Sequence, residues 1–193
     1  MEAELAVLWQ TLDAQEPLPE KDRQLLVPYL KVRHLAAGED FVKAGQTTRL
    51  VGFLANGILR YFYSTGGDEF TRYFCQGRSF VSSQTALVTG GPSLYTIRAV
   101  VETTLLTFVY ADWLALAARS PAWSRIHRHI LENALVLAEK RERSLVLDDA
   151  ATRYQKFLAE YPGLEPHLKQ YDVASYLGVT PVTLSRLRSR PAN

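Results

Sequence analysis

Near the C-terminus, residues 171–188 read YDVASYLGVTPVTLSRLR, and their pattern predicts two short helices joined by a turn. Its first half places Val173, Ala174 and Leu177 on one helical face, which can pack against a partner. Gly178 follows, and glycine adopts without steric cost the left-handed conformation that commonly ends a helix. The chain is therefore expected to turn sharply at Gly178 into a second helix.

The second helix has a well-defined start. Thr180 can act as its N-cap by accepting a hydrogen bond from an early backbone N–H, and Pro181 at the first helical position loses no hydrogen bond. Leu184 and Leu187 are three residues apart and are expected to point back toward the first helix. Two short helices that meet in this way are typical of a helix-turn-helix unit, which reads DNA with its second helix.

The outward side of the second helix carries groups that suit a DNA groove. Arg186 can make a bidentate contact to guanine O6 and N7, and Val182 can contact a thymine methyl group. From Lys169 onward, with Arg190 included, four basic residues stand against one acidic residue, a local charge of +3. The alternative is a two-helix packing unit with an incidental basic end. The residues predicted to contact DNA are Lys169, Thr180, Pro181, Val182, Thr183, Ser185, Arg186 and Arg188.

The composition of the whole chain limits the classes of protein that fit. The 193 residues include 22 Lys and Arg against 20 Asp and Glu, a formal charge of +2, so any nucleic-acid surface must be local. Hydrophobic residues make up 47% of the chain, which is enough for a core. Its single cysteine, Cys75, rules out an internal disulfide and a four-cysteine metal or iron–sulfur site.

Neither a leader peptide nor a membrane span is expected. The N-terminus carries Glu2 and Glu4 and has no uninterrupted apolar run of the kind found in signal peptides. No stretch of 18 consecutive apolar residues occurs in the chain. We therefore expect a soluble, cytoplasmic protein with no membrane partner.

Three regions with different patterns follow one another along the chain. Residues 31–110 contain short runs rich in Val, Ile, Thr, Tyr and Phe between glycines, a pattern that indicates a compact antiparallel β-roll. Helical patterns lie on both sides of this region. The predicted helices outside the helix-turn-helix are residues 2–12, 19–30, 112–119, 121–147 and 150–161.

The helix predicted for residues 121–147 is long and needs a partner along much of its length. It can pack on its own β-domain, as part of it is expected to do, or it can form the seam of a homodimer. Asp148 or Asp149 can cap the next helix, so this pair marks a domain boundary. The apolar residues of the predicted seam are Trp123, Ile126, Ile130, Ala134, Leu137 and Leu145.

In the order of its parts the chain resembles the Crp/Fnr superfamily of bacterial transcription regulators. The C-terminal run is similar to a subgroup found in Bacteroidetes and relatives that lacks a β-hairpin wing. The residues that carry the resemblance are Gly38-Glu39, Gly45, the run Gly52 to Tyr63, Gly77, Phe80 and the run Tyr171 to Arg188.

The resemblance implies an α+β fold with three parts. Residues 1–119 would form an antiparallel β-roll of the cyclic-nucleotide-binding, double-stranded β-helix type, which serves as a sensor-like domain. Residues 120–148 would form the long connecting and dimerisation helix, and residues 149–193 the helix-turn-helix domain. Homodimers of this kind place two recognition helices in successive major grooves, so a palindromic site with half-sites roughly 34 Å apart is expected. RNA polymerase is a further partner that the resemblance implies.

The sequence departs from the family at the ligand-binding cassette. Relatives that bind cyclic nucleotides hold the ribose with a Gly-Glu pair and the phosphate with an Arg-Ser pair, whereas this chain has Phe80 to Gln84 and Pro92 to Tyr95 in those places. A phosphate without its guanidinium partner loses a bond worth about 1.5–3 kcal/mol. Cyclic AMP is therefore not the expected effector, and no cofactor is expected. An unidentified effector could still lie between the β-roll and the long helix, lined by Ser82, Ser83, Gln84, Tyr95 and Arg98.

Catalysis is not indicated. The four histidines are scattered, and His127 and His129 lie two apart on a helix and point to different faces, so a cupin-type metal site is not expected. Cys75 follows an aromatic run on a predicted strand, where a buried structural thiol is the default. We therefore interpret the chain as a sequence-specific DNA-binding transcription regulator and not an enzyme. The alternative is a β-roll module that binds a ligand or protein without reading DNA.

Overall fold

The computed structural model describes residues 1–189, so Arg190, one of the predicted basic residues, lies outside the described part. Within residues 1–189 there are eight α-helices and eight strands. The helices are α1 (Glu2–Asp13), α2 (Glu20–Leu26), α3 (Gln84–Thr89), α4 (Tyr110–Arg119), α5 (Pro121–Leu147), α6 (Ala150–Glu160), α7 (Gln170–Leu177) and α8 (Pro181–Arg188). The strands are β1 (Lys31–Leu35), β2 (Asp40–Val42), β3 (Leu50–Asn56), β4 (Ile58–Thr65), β5 (Asp68–Gln76), β6 (Ser79–Val81), β7 (Thr96–Ala99) and β8 (Thr103–Val109).

The strands form the predicted antiparallel β-roll. One four-stranded sheet has the order β1-β8-β3-β6 and the other the order β2-β7-β4-β5, so β5 is an edge strand. Leu54, Leu59 and Leu105 lie in the core between the sheets and are fully buried. Gly57 joins β3 to β4 with φ of 112°, and a Cβ there would lie 2.3 Å from the Thr103 hydroxyl, so only glycine fits.

A second core lies on the outer face of the roll, where the N-terminal helices and the start of α5 pack. Leu8, Phe53 and Trp123 are fully buried there. The helix α5 begins as predicted because Ser120 Oγ accepts a hydrogen bond from the Trp123 backbone N–H at 3.3 Å. The Trp123 indole N–H also donates to the Asp22 carbonyl at 2.9 Å, which ties α5 to α2.

Two predicted helix boundaries were wrong. The helix expected over residues 19–30 ends at Leu26 and continues only as a 3-10 turn, Val27–Tyr29, because Pro28 has no N–H for the helical hydrogen-bond ladder. The helix expected from Asp112 begins at Tyr110. Within residues 1–189 no helix is both long and apolar enough to cross a membrane.

A third core joins the C-terminal helices to the roll. Ile58 and Phe74, from β4 and β5, pack with Phe157, Leu177 and Leu184 of the C-terminal helices. The helix-turn-helix is therefore docked on the β-roll.

Candidate nucleic-acid interface and candidate effector pocket

The helix-turn-helix has the geometry that its sequence predicts. Gly178 follows α7 with φ of 65°, in the left-handed region. Thr180 caps α8 and its Oγ1 accepts a hydrogen bond from the Thr183 backbone N–H at 3.2 Å. Leu184 is fully buried against α7, and Leu187 is half-buried. The turn and the first residues of α8 are thus held in one conformation.

Most of the residues predicted to contact DNA lie on one exposed surface. The side chain of Val182 is 62% exposed, and Ser185 and Arg186 are exposed beside it. Thr180 and Pro181 are exposed at the start of α8, whereas Thr183 is half-buried, with its hydroxyl 3.0 Å from that of Thr180. Lys169 is exposed at the N-cap of α7, and Arg188 is exposed near the end of α8. This exposed side of α8 is called the reading face below.

Arg188 differs from the other predicted contacts because it is already paired. Its guanidinium lies 2.8 Å from the Glu165 carboxylate, which also accepts a hydrogen bond from the Tyr154 hydroxyl. Arg188 therefore ties α8 to the turn before α7.

The supporting helix α7 lies against the edge strand β5. Ser175 Oγ accepts a hydrogen bond from the Thr71 backbone N–H at 2.8 Å and donates to the Glu69 carbonyl at 2.9 Å. Asp172 lies 2.9 Å from the guanidinium of Arg60, which is only 5% exposed. Burial raises the pKa of Asp172, and the charge of Arg60 offsets part of that rise.

Sequence reasoning did not find this contact. Ser175 and Thr71 are 104 positions apart, and neither residue has a local pattern that points to the other. Asp172 stands in the first turn of α7, where an acidic residue is favourable in any helix. The residue type and position of Asp172 therefore do not predict that it pairs with an arginine on β4.

The structure brings part of the predicted effector pocket together. Ser82 and Gln84 line a cleft of about 20 Å³ between the roll and α5, together with Trp113 and His127. Within the described residues the Trp113 indole N–H and the side-chain Oε1 of Gln84 have no hydrogen-bond partner. The cleft has room for about one water molecule, far less than the 300 Å³ or more of common ligand pockets.

The other three predicted pocket residues lie elsewhere. Ser83 is fully buried at the start of α3. Tyr95 is buried in the roll, where its hydroxyl donates to the Ser82 carbonyl at 3.3 Å. Arg98 is on β7 and pairs with Asp40 at 2.7 Å, a hydrogen bond that raises the pKa of Arg98. The structure therefore does not bring Arg98 to the cleft.

Aromatic side chains fill the interior of the roll. The rings of Tyr61 and Tyr73 stack with their centroids 4.1 Å apart, and Tyr95 packs on Tyr61 at 5.6 Å. Burial raises the pKa of Tyr61 and of Tyr73, so both phenols stay protonated at neutral pH. Cys75 is buried beside them, and burial raises the pKa of its thiol to about 12, which makes the thiolate scarce.

The second half of α5 exposes a row of apolar side chains. Leu135 is 62% exposed and Leu145 is 46% exposed, and Leu131 is half-buried on the same face. Of the predicted seam, Trp123 and Ile126 are instead buried against the roll of their own chain. The first half of α5 is therefore buried against the roll of its own chain, and the second half exposes an apolar face to solvent.

The histidines lie apart from one another. His127 contacts the Tyr110 hydroxyl at 3.3 Å, and His129 contacts Asn133 at 2.9 Å. Among residues 1–189 no group of three or more His, Cys, Asp or Glu side chains is placed to hold a metal ion.

Comparison with known proteins agrees with the β-roll and the helices described above. Residues 32–120 match the family model of the cyclic nucleotide-binding domain. Residues 1–189 have the fold of the Crp/Fnr regulators, with an antiparallel β-roll, a long helix and C-terminal helices. No curated protein sequence matches the chain.

Several solved structures share this fold. FixK2 from Bradyrhizobium japonicum superposes with a TM-score of 0.72 at 18% identity, with 83% of each chain covered. The c-di-GMP-responsive global regulator CLP of Xanthomonas campestris gives 0.70 at 15% identity, with 88% of this chain and 89% of CLP covered. A putative transcriptional regulator of the Crp/Fnr family from Eubacterium rectale gives 0.70 at 16% identity, with 90% of this chain and 83% of that chain covered.

Proposed function

We propose that this protein is a homodimeric, sequence-specific DNA-binding transcription regulator of the Crp/Fnr type. The observation that carries the proposal is the reading face of α8, where Val182, Ser185 and Arg186 point outward from a capped and buried base. An α-helix fits the major groove, and a side chain such as Arg186 can distinguish guanine there. The docked helix-turn-helix leaves this face accessible, as a DNA reader requires.

The open face of α5 supports a homodimer. Leu131, Leu135, Ala138 and Leu145 occupy four of five successive positions at spacings of four and three residues, the spacing of a two-stranded coiled coil. The remaining position holds the charged Glu142. Leu135 and Leu145 would leave water if a second copy packed along this face. Two parallel copies of α5 would place the two reading faces on the same side of the dimer, ready for a palindromic site.

The β-roll is proposed to act without cyclic AMP. The stacked rings of Tyr61 and Tyr73, with Tyr95, fill part of the interior of the roll. The run Pro92 to Tyr95 stands where nucleotide-binding relatives carry the Arg-Ser pair, and none of its residues can supply a guanidinium. The residues present therefore do not fit a cyclic nucleotide.

The C-terminal domain fits the subgroup without a wing. Between residues 149 and 189 the chain forms three α-helices and a 3-10 turn, and no strand occurs in this described part. In this form of the domain α8 and the residues beside it would carry the DNA contacts. Regulation would take place in the cytoplasm, through RNA polymerase at the bound promoter.

The test compares the wild type with Arg186→Ala on duplex DNA selected by the wild type from random sequences. We expect a loss of about 1–3 kcal/mol in binding free energy and a relaxed preference at one base pair of each half-site. Arg49→Ala, at an exposed loop position of the roll, is the matched control and should bind like the wild type. Equal affinity and equal base preference for Arg186→Ala would contradict the assigned role.

Salt dependence provides a second readout. A DNA reader loses affinity steeply as salt rises, because each neutralised phosphate releases bound counterions. Binding by the wild type that does not change with salt would indicate a different kind of interaction.

A further inference from the structure

We propose that the contact between α7 and β5 sets the spacing of the two half-sites that the dimer accepts, with Arg60, Asp172 and Ser175 as positioning residues. This inference rests on the proposed function. These residues are not among the predicted DNA contacts. They are proposed to fix the distance and angle at which the two reading faces meet DNA. The set of contacts made by these three residues is called the α7–β5 latch.

The hydrogen bonds of Ser175 complete the edge of the sheet. β5 is an edge strand, and its outward backbone groups need partners. Ser175 Oγ meets two of them, the Thr71 N–H at 2.8 Å and the Glu69 carbonyl at 2.9 Å. One side chain of α7 thus takes the place of a neighbouring strand, which fixes the position of α7 along β5.

An irregularity in β5 lies at the same point. Tyr61 pairs with Tyr73 and Phe62 pairs with Thr71, so Arg72 is an extra residue that bulges from the ladder. A bulge bends the strand and redirects its edge groups. The Thr71 N–H that donates to Ser175 is adjacent to this bulge.

The ion pair fixes the orientation of α7 about its own axis. Arg60 donates to Glu69 at 2.5 Å and to the Thr71 hydroxyl at 2.9 Å, and the same guanidinium lies 2.9 Å from Asp172. Its carbon lies 4.4 Å from the centroid of the Phe62 ring. A buried ion pair adds little net stability, but it is satisfied in only one arrangement of the two elements.

The C-terminal end of α7 is also held by the long helix. The Arg141 guanidinium of α5 donates to the Tyr176 carbonyl and lies 3.9 Å from the centroid of the Tyr176 ring. The Tyr176 ring packs on Phe74 of β5 at 5.6 Å. The helix α7 therefore contacts both β5 and α5, and α5 is the proposed dimerisation helix.

The orientation of α7 determines the orientation of α8, because the two helices are packed together. The two helices are joined by the Gly178 turn and by the buried Leu184 of α8. The side-chain amide of Gln170 also donates a hydrogen bond to the Pro181 carbonyl at 3.0 Å. In a dimer joined along α5, the distance and angle between the two reading faces are then fixed by the latch. One added base pair moves a half-site by about 3.4 Å and turns it by about 35°. A latched dimer should discriminate against that change, whereas an unlatched dimer should tolerate it.

The experiment measures affinity for duplexes in which the two selected half-sites are moved closer or further apart in steps of one base pair. The variants are Ser175→Ala, which removes both hydrogen bonds to β5, and Asp172→Lys, which places a cation against Arg60. Ser64→Ala and Asp68→Lys make the same changes at exposed positions of the β4–β5 hairpin and serve as matched controls.

We expect the wild type and both controls to prefer one spacing. In Ser175→Ala and Asp172→Lys the preference should fall by about two- to thirtyfold, the range for mutations that change coupling without touching the ligand. The affinity for a duplex with a single half-site should stay within about twofold of the wild type, because the reading face is unchanged.

Two results would overturn the inference, and they are distinguishable. If the wild type selects no DNA, the proposed function fails and the inference fails with it. If the wild type prefers one spacing and a folded Ser175→Ala has the same spacing profile, the latch does not set spacing although the protein reads DNA. Thermal unfolding shows whether each variant is folded, and Ser175→Ala decides alone if Asp172→Lys is not.

Discussion

Two arginines on α8, two positions apart, have different surroundings. Arg188 is tied to Glu165 at 2.8 Å, whereas Arg186 is exposed and takes part in no ion pair within residues 1–189. A guanidinium that is not held by a carboxylate can turn its flat edge to a base or a phosphate without breaking an existing bond. The assignment of base readout to Arg186, rather than to Arg188, follows from this difference.

His127 provides a prediction about pH at the level of a single side chain. It lies on α5 against Tyr110 and Trp113 of α4, and burial lowers its pKa below the ordinary value. A lowered pKa in the folded state means that the contribution of His127 to stability is present above its unfolded pKa and is lost as the pH falls through its folded pKa.

The free energy of unfolding should therefore decrease as the pH is lowered from about 7 to about 5, the range in which histidine titrates. In His127→Gln this component should be missing, and the decrease should be smaller. Urea unfolding at a series of pH values measures the difference. His129→Gln, at an exposed position two residues away, is the control, and identical pH profiles for wild type and His127→Gln would contradict the prediction.

At the scale of elements, the start of α8 depends on one cap. Thr180→Ala removes the oxygen that accepts the Thr183 N–H, so we expect a loss of about 0.5–2 kcal/mol in the free energy of unfolding. The exposed Thr65→Ala at the end of β4 should change stability far less. Amide hydrogen exchange gives the location, because the protection lost in Thr180→Ala should be concentrated in α8. Unchanged exchange in α8 would show that the cap does not hold the helix.

The exposed apolar face of α5 leads to a prediction about dimer formation. Burying one Leu side chain contributes about 1.5–3 kcal/mol, and Leu135 would be buried twice in a symmetric dimer. Leu135→Lys should therefore raise the dimer dissociation constant by more than about a hundredfold. Sedimentation velocity measures this change directly.

Val88→Lys introduces a lysine at a similarly exposed apolar residue, on α3, and should leave assembly unchanged. A wild type that sediments as a monomer at high concentration would contradict the proposed role of α5. So would a Leu135→Lys variant that dimerises as well as the wild type.

The elements show which parts of the structure can be predicted from sequence. The Thr180 cap, the Gly178 turn and the Ser120 cap are local features, each formed by residues only a few positions apart. Such features can be recognised from the sequence. The latch joins residues about a hundred positions apart, and only the fold brings them together. Arg98 was assigned to an effector pocket by its place in the chain, but its carboxylate partner Asp40 lies on the neighbouring strand β2.

At the scale of the whole molecule, three cores connect the parts. One fills the roll, one joins the roll to the N-terminal helices and α5, and one joins the roll to the helix-turn-helix. Phe74 in the third core and Cys75 in the first are adjacent residues of β5, so β5 belongs to both. The reading face is therefore carried by a scaffold that continues into the roll.

We propose that two copies of this chain present two reading faces to one duplex at a fixed distance. Selection of bound duplexes from a random pool tests it most directly, because the enriched motif reports base preference, symmetry and spacing together. We predict a palindromic motif with half-sites about one helical turn apart, which corresponds to roughly 34 Å between the two reading faces. An enriched motif without symmetry, or no enrichment at a salt concentration where the protein is folded, would contradict the account.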